Sequence, residues 1–136
     1  MTQIIAYLTF DGNCAEAMNF YKDCTGGELM ISHVEDTPVE GACGQAAPGA
    51  VMHAHLSKGS LQLMASDMMM GGELIRGNAV ALSLNCSSEE EIRSYFDKLS
   101  AGGTDIHPLK LEFWGALFGM FTDKFGLRWL LNFDKN

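Results

Sequence analysis

The pattern of hydrophobic and polar residues in the first half of the chain predicts one helix among strands. The run QIIAYLTF is typical of a strand, and the turn DGN follows it with Asn13 placed to cap a helix. Apolar residues then recur at helical spacing until a Gly-Gly pair, and they form one stripe: Cys14, Ala17, Met18, Tyr21 and Cys24. GELMISHV reads as a strand, and VMHAHLSKGSLQLMA reads as two strands with a tight turn at Lys58-Gly59. The predicted order is β-α-β-β-β.

The second half repeats this order. NAVALSLNC is strand-like, and SSEEEIRSYFDKLSAGG carries Ser88 and Glu91 at the spacing of a capping box. Its apolar stripe is Ile92, Tyr95, Phe96 and Leu99. One offset superimposes the two helical stripes, since Ala17 then matches Ile92 (92 − 17 = 75). Further strands are predicted near 109–112, 114–121 and 127–133. We infer an internal duplication of the β-α-β-β-β unit.

The repeat predicts an α+β fold in a single domain covering residues 1–136, a length that fits one domain with a real core. Unit one spans about 1–68 and unit two about 76–136. Neither unit alone can bury the apolar face of its sheet, so we expect two curved sheets around a cleft, with the helices on the outer faces. That cleft is the expected ligand site.

Charge and cysteine content narrow the partners and the compartment. The net charge is −8 and only nine basic residues are present, which argues against nucleic acid and anionic membranes as partners. No apolar run reaches membrane-spanning length, and the N-terminus has no secretory pattern. The four cysteines lack CxxC spacing. We therefore expect a reduced, cytoplasmic protein.

Two loops stand out by composition. The segment EDTPVEGACGQAAPGA, residues 35–50, is rich in Gly, Ala and Pro, and it is interpreted either as a lid or as a solvated loop. It contains Cys43, the one cysteine that we consider as a reactive thiol. The segment SDMMMGGELIRGN joins the two units, and its three methionines suit a soft apolar pocket or an oligomer contact.

Several segments resemble a known family. YLTFDGNCAEAMNFYKDCTGGEL, LMASD, FWG and FTDKFGLRWLLNF occur in the order found in the PhnB-like branch of the glyoxalase/bleomycin-resistance/dioxygenase superfamily, the vicinal oxygen chelate proteins. The resemblance covers nearly the whole chain. Some relatives carry the label of a demethylubiquinone methyltransferase, but no Gly-rich loop follows a strand of a Rossmann unit here, so we do not transfer that activity.

The resemblance also implies where a metal would be held. Superfamily members that are enzymes usually bind a divalent metal through the first and last strands of each unit. Carried over by spacing, these positions are Ala6, Leu63, Ala81 and Leu130. None of these side chains is a metal ligand, so we expect no metal and no other cofactor. A slip of one residue gives Tyr7, Gln62, Leu82 or Trp129, of which Gln62 alone is a plausible donor.

Alternation along the last strand separates two sets of side chains. Arg128, Leu130 and Asn132 share one face and are expected to face the cleft, whereas Trp129 is expected under the helices. The same parity places further, mostly apolar residues on the cleft side: Ile4, Ala6, Leu8, Leu61, Leu63, Ala65, Ala79, Ala81 and Ser83. An apolar pocket with one cation suits an organic ligand with an anionic group, and Arg128 is that cation unless it pairs with a nearby carboxylate.

Four other residues complete the candidate ligand site. Ser66 and Asp67 follow a strand and would place a hydroxyl and a carboxylate at the cleft rim, although turn chemistry explains them equally well. The segment Glu112-Phe113-Trp114-Gly115 is interpreted either as an entrance, where Trp114 would stack on a flat ligand, or as a strand edge, and Phe125 is a weaker candidate of the same kind.

The histidines offer a rival constellation. His53 and His55 share one face of a strand, opposite Leu61 and Leu63, and could form half of a metal site with a donor from another segment or subunit. The alternative is a surface or interface pair. His33 and His107 are isolated in sequence, which is more typical of structural histidines.

These features lead to three functional hypotheses. The first is a metal-free, PhnB-like protein that binds a small organic ligand of unknown identity, with catalysis undecided. The second is a metal-dependent lyase, isomerase or dioxygenase. The third is sequestration of an aromatic toxin or antibiotic, as the resistance branch implies. Exposed strand edges predict a homodimer under all three.

Overall fold

A computed structural model describes residues 2–33, 49–68 and 72–135. Cys43, nearly all of the 35–50 loop, Met69 and Met70 lie outside the described residues. The chain forms two compact units, residues 1–75 and 76–136, and each is described by itself below. No helix among the described residues is long and apolar enough to cross a membrane.

Both units have the order β-α-β-β-β, as the duplication predicts. Unit one contains β1 (Ala6–Phe10), α1 (Cys14–Thr25), β2 (Glu28–His33), β3 (Val51–Lys58) and β4 (Leu61–Asp67). Unit two contains β5 (Leu82–Asn85), α2 (Glu89–Leu99), β6 (Thr104–Leu111), β7 (Ala116–Thr122) and β8 (Arg128–Asp134). The predicted α+β class with two tandem units is confirmed.

Each unit has one four-stranded mixed sheet. The strand order is β1-β4-β3-β2 in unit one and β5-β8-β7-β6 in unit two, so the two sheets have the same topology. The first strand of each unit pairs in parallel with the last, and the remaining pairs are antiparallel. Residues 59 and 60 form the β3-β4 turn, one position later than predicted, because Lys58 pairs with Leu61.

Helix α1 begins without the cap that its sequence predicts. The side chain of Asn13 makes no capping hydrogen bond. The carboxylate of Asp67, at the end of β4, caps the helix instead. Its Oδ1 accepts hydrogen bonds from the N–H groups of Gly12 (2.9 Å) and Cys14 (3.0 Å). Its Oδ2 accepts from the N–H of Val51 at 2.8 Å. One buried carboxylate therefore joins the helix start to two strands.

Helix α2 uses the predicted capping residue. Ser88 Oγ accepts from the N–H of Glu91 at 3.1 Å, while the Glu91 carboxylate bonds the N–H of Ser87 at 3.0 Å. The helix packs on β7, where the rings of Phe96 and Phe121 meet edge to face with centroids 5.1 Å apart. Gly119 allows this approach, because a Cβ there would lie 2.6 Å from Phe96 Cε2.

In each sheet one face is covered by the helix, and we call the other the helix-free face. In unit two the helix-covered face includes Phe121, Trp129 and Leu131, all buried. The helix-free face of unit two carries the alternate residues of β7 and β8: Phe118, Met120, Thr122, Arg128, Leu130 and Asn132. This is the separation that alternation along the last strand predicts.

Unit one has the opposite parity from the one expected. Leu63 and Ala65 are buried and pair with the buried Leu56 and Ala54, and Asp67 on the same side of β4 reaches the start of α1. The residues Ala6, Leu8, Leu63 and Ala65 therefore lie on the helix-covered face, and their expected position on the open side is wrong. The helix-free face of unit one carries Tyr7, Met30, His53, His55, Gln62, Met64 and Ser66.

For Ala6 and Leu8 on β1, the physical reason is the length of the connection between the first strand and the helix. The offset of 75 residues that superimposes the helices does not hold in the strand before them. The last helix-facing residue before α1 is Phe10, four positions before Cys14 (14 − 10 = 4), whereas Cys86 lies three positions before Glu89 (89 − 86 = 3). A difference of one residue moves every side chain of a strand to the other face.

Candidate functional site

The helix-free face of unit two contains a depression of about 460 Å³. This volume falls in the range of small-molecule sites. Its lining mixes backbone, charged and apolar groups from the segment before β5 and from β6, β7 and β8, including Gly77, Asn78, Asp105, His107, Met120, Thr122, Arg128 and Leu130. The predicted site residues Arg128 and Leu130 are thus brought together in one concave surface.

Arg128 is held in this depression by the backbone. Its Nη1 donates a hydrogen bond to the carbonyl oxygen of Asn78, 50 residues away in sequence. The pairing of Arg128 with Thr122 starts the β7-β8 ladder, which fixes the position of its Cα. A guanidinium has five N–H donors, so one bond to a carbonyl orients the group and leaves donors for a ligand.

The turn before Arg128 is fixed by a buried carboxylate. Asp123 is 3% exposed, and its Oδ1 accepts from the N–H groups of Phe125 (2.8 Å) and Leu127 (3.0 Å). Its Oδ2 accepts from Trp129 Nε1 at 2.8 Å. These bonds tie the turn to the helix-covered side of β8. The turn before Arg128 is therefore rigid, and it holds Arg128 in position at the depression.

Strand β6 adds two polar groups to the depression. His107 lies opposite Met120, and the pairing of β6 with β7 is irregular between Thr104 and Lys110. Within this irregular stretch Asp105 has a φ of 50°, and it is the one non-glycine residue with positive φ in the described parts of the chain. The bulge re-aims the side chains here, and it brings a carboxylate into the wall that also holds Arg128.

An aromatic cluster lies at the Glu112–Gly115 turn between β6 and β7. Trp114 is 49% exposed, and its ring centroid lies 5.0 Å from that of Phe113 and 6.0 Å from that of Phe118. Phe118 pairs with Asn132, so both lie on the helix-free face with Arg128. Phe125 lies in the other turn, where Lys124 Nζ is 5.5 Å from its ring centroid.

The predicted site residues of unit one separate into two groups. Ser66 lies on the helix-free face beside Thr9. Leu63 and Asp67 lie on the helix-covered face and are buried, at 6% and 3% exposure. The predicted rim position of Asp67 is therefore wrong, because its carboxylate is occupied by three backbone N–H groups. The alternative expected from the sequence was a role in a local turn, whereas Asp67 instead bonds backbone N–H groups at the starts of α1 and β3.

The described residues contain no group of three or more His, Cys, Asp or Glu side chains that would hold a metal ion. Burial raises the pKa of the Cys14 and Cys86 thiols to about 12, with a smaller contribution from Asp67 and Glu91 respectively. A thiol with such a pKa is protonated at neutral pH and is a poor nucleophile. Neither cysteine has the chemistry of a reactive group.

Sequence reasoning missed the residues that complete the depression, namely Asn78, Asp105, Met120 and Thr122. Asn78 contributes its backbone carbonyl, so its residue type gives no sign of this contact in the sequence. Asp105 depends on a bulge that the strand prediction, starting near 109, did not include. Met120 and Thr122 were available from alternation along β7, because they pair directly with Leu130 and Arg128.

Fold and site together define a two-unit α+β protein with a small-molecule-sized depression on the open face of one sheet. The model of a family described as 3-demethylubiquinone-9 3-methyltransferase matches residues 2–132. Protein PA1353 from Pseudomonas aeruginosa is 37% identical, with full coverage of both chains and a TM-score of 0.86. The PhnB protein from Bacillus cereus is 30% identical over 97% of this chain and 99% of its own, with a TM-score of 0.79.

A curated relative is also similar over nearly the whole chain. Protein YjdN from Escherichia coli (strain K12) is 32% identical and covers 95% of this chain and 93% of its own length. At the level of fold alone, a glyoxylase/bleomycin resistance protein/dioxygenase domain from Frankia sp. EAN1pec matches with a TM-score of 0.69 at 15% identity. The chain belongs to this 3-demethylubiquinone-9 3-methyltransferase family and is similar over its length to the PhnB protein, and it shares the fold of the glyoxalase/bleomycin-resistance/dioxygenase proteins.

Proposed function

We propose that this PhnB-like protein binds a small organic anion on the helix-free face of its second unit, without the help of a metal. The observation that carries the proposal is Arg128, whose guanidinium lines the depression and is oriented by the carbonyl of Asn78. Arginine recognises carboxylate and phosphonate groups through paired hydrogen bonds, which suits an anionic head group.

The other walls of the depression define the rest of the ligand. Met120 and Leu130 supply apolar contact, and a thioether adapts to irregular shapes. Asp105 and His107 add polar groups from β6. A ligand that carries a hydrogen-bond donor as well as its anionic group should therefore bind more tightly. Trp114 and Phe118 extend the same face with aromatic surface, and Asn132 adds an amide beside them. A compact carboxylate or phosphonate with a flat apolar body fits this set.

A thermal-shift screen of aliphatic and aromatic carboxylates and phosphonates tests the proposal, with calorimetry on the strongest ligand. Arg128→Gln should weaken binding by about tenfold or more, because a hydrogen bond to a charged group contributes about 1.5–3 kcal/mol. Arg93→Gln is the matched control: it removes one positive charge from the exposed surface of α2, where Arg93 pairs with Glu89. Equal affinities of the two variants would refute the role of Arg128.

The same ligand distinguishes binding alone from catalysis. Incubation of the protein with the strongest ligand, followed by nuclear magnetic resonance of the small molecule, detects any turnover. An unchanged spectrum over many protein equivalents supports binding as the activity. Appearance of a product only in the presence of an added divalent metal would favour the metal-dependent enzyme instead.

We also propose that the protein is a homodimer. Several large apolar side chains of the described residues are exposed, among them Ile4 (101%), Val80 (79%) and Phe113 (97%), and apolar surface of this kind is commonly covered by another chain. Size-exclusion chromatography with light scattering measures the mass directly. A particle of 14.8 kDa, the mass of one chain, would contradict the dimer.

A further inference from the structure

We propose that the helix-free face of unit one is a binding site for a soft monovalent metal ion, Cu(I) or its analogue Ag(I), formed by Met30, His53, His55 and Met64. This site is separate from the anion site of unit two and does not depend on it. It uses strands β2, β3 and β4.

The sheet register places these donors next to one another. Met30 pairs with His55 across β2 and β3, His55 pairs with Met64 across β3 and β4, and Met64 pairs with Tyr7 of β1. These four residues form one row across the sheet on the helix-free face. Directly opposed side chains in such a row have Cβ atoms about 5 Å apart, so the thioethers of both methionines flank the imidazole of His55. His53 is two positions along β3 on the same face.

Both imidazoles are already oriented by neighbouring side chains. His55 Nε2 donates to Gln62 Oε1 at 2.7 Å, which leaves Nδ1 as the ring atom with a lone pair. The hydroxyl of Tyr7 lies 3.3 Å from Nδ1 of His53, and the two rings are 5.9 Å apart by centroid. Histidines that bind metals commonly have their second ring nitrogen held by such a partner, which fixes the tautomer and the ring orientation.

The donor chemistry selects the ion. Two thioethers and two neutral imidazoles carry no charge, and soft thioether donors favour Cu(I) over hard divalent cations. Among the described strand residues of this face, Glu28 is the one acidic side chain, and it pairs with Ser57 rather than with His55. The exposure of Met30, 72% on the edge strand β2, leaves its sulfur accessible to an ion from solution.

Titration of the full-length protein with Ag(I) tests the proposal, with the ε-methyl carbons of methionine labelled with ¹³C and observed by nuclear magnetic resonance. All samples carry Cys43→Ser, so that the thiol of this residue does not compete for Ag(I), and the thiols of Cys14, Cys24 and Cys86 are buried. We expect the Met30 and Met64 methyl signals to shift together and to saturate at one equivalent of Ag(I). Met30→Leu and Met64→Leu assign the two signals.

Affinity is measured by calorimetry. His55→Ala and the double variant Met30→Leu/Met64→Leu should each raise the Kd for Ag(I) by about tenfold or more. Met68→Leu is the control, a methionine change in the same unit outside the row, and should leave the Kd unchanged. Circular dichroism checks that each variant is folded. The double leucine variant keeps the side-chain size, so it still tests the site if His55→Ala perturbs the sheet.

Three outcomes would overturn the proposal. The first is the absence of shifts at Met30 and Met64 on addition of Ag(I). The second is an Ag(I) affinity that is unchanged by the double leucine variant. The third is tighter binding of Zn(II) or Ni(II) than of Ag(I), which would assign the histidines to a divalent site without the thioethers.

Discussion

Replacing Asp67 with alanine removes one carboxylate that holds three parts of unit one together. Its oxygens accept from the N–H groups of Gly12 and Cys14 at the start of α1 and from the N–H of Val51 at the start of β3. The substitution leaves these donors without a partner. It also removes a negative charge from the positive end of the helix dipole.

The size of the effect follows from the burial of the donors. The bonds to Cys14 and Val51 are buried, whereas the bond to Gly12 is partly exposed, so water can replace only the last one easily. A buried unsatisfied N–H costs about 1–3 kcal/mol. Two such donors give about 2–6 kcal/mol, and water entering the vacated space reduces the cost. We expect a loss of about 3 kcal/mol for Asp67→Ala, and a smaller loss for Asp67→Asn, whose amide oxygen retains part of the cap.

Urea denaturation followed by circular dichroism measures the loss as a change in the free energy of unfolding, and thermal denaturation should show a fall in Tm on the order of 10 °C. Asp11→Ala is the matched control, because Asp11 is an exposed carboxylate in the same loop. If the unfolding free energies of the Asp67→Ala and Asp11→Ala proteins lie within about 0.5 kcal/mol of each other, the carboxylate does not have the assigned role.

Two further predictions concern the cores of the units. Gly119→Ala should destabilise the protein by about 1–3 kcal/mol, measured by urea denaturation. The added Cβ would lie 2.6 Å from Phe96 Cε2 and 3.1 Å from the carbonyl oxygen of His107. A loss of stability below about 0.5 kcal/mol would contradict this packing. Cys14 and Cys86 should react with iodoacetamide at pH 8 at least about 100-fold more slowly in the native protein than in urea, because burial raises both thiol pKa values to about 12. Peptide mass spectrometry measures both rates, and similar native and unfolded rates would refute this prediction.

The sequence predicts those parts of the fold that depend on local patterns. The stripe Ile92, Tyr95, Phe96 and Leu99 is buried as its helical spacing requires, and Ser88 caps α2. Alternation along β8 places Trp129 and Arg128 on opposite faces, because Trp129 and Leu131 are buried whereas Arg128 and its face are only half-buried. These signals lie within a few residues of the features that they predict.

Features that depend on long-range contacts were not predictable in the same way. The cap of α1 comes from Asp67, more than 50 residues after Cys14, so the local candidate Asn13 was misleading. Likewise, Arg128 is oriented by a carbonyl 50 residues before it. Extending the helix offset into β1 places Ala6 on the wrong face, because the connections before the two helices differ by one residue.

The unequal connections before α1 and α2 have a consequence for how duplicated proteins diversify. A segment that is copied in tandem begins with two identical surfaces, and point substitutions alter them only one side chain at a time. The loss or gain of a single residue before a helix exchanges a strand's buried and solvent-facing sides in one event. Here the strand residue equivalent to Phe10 by the common offset, Asn85, is exposed while Phe10 is buried, so one copy could acquire new chemistry while the other kept the ancestral layout.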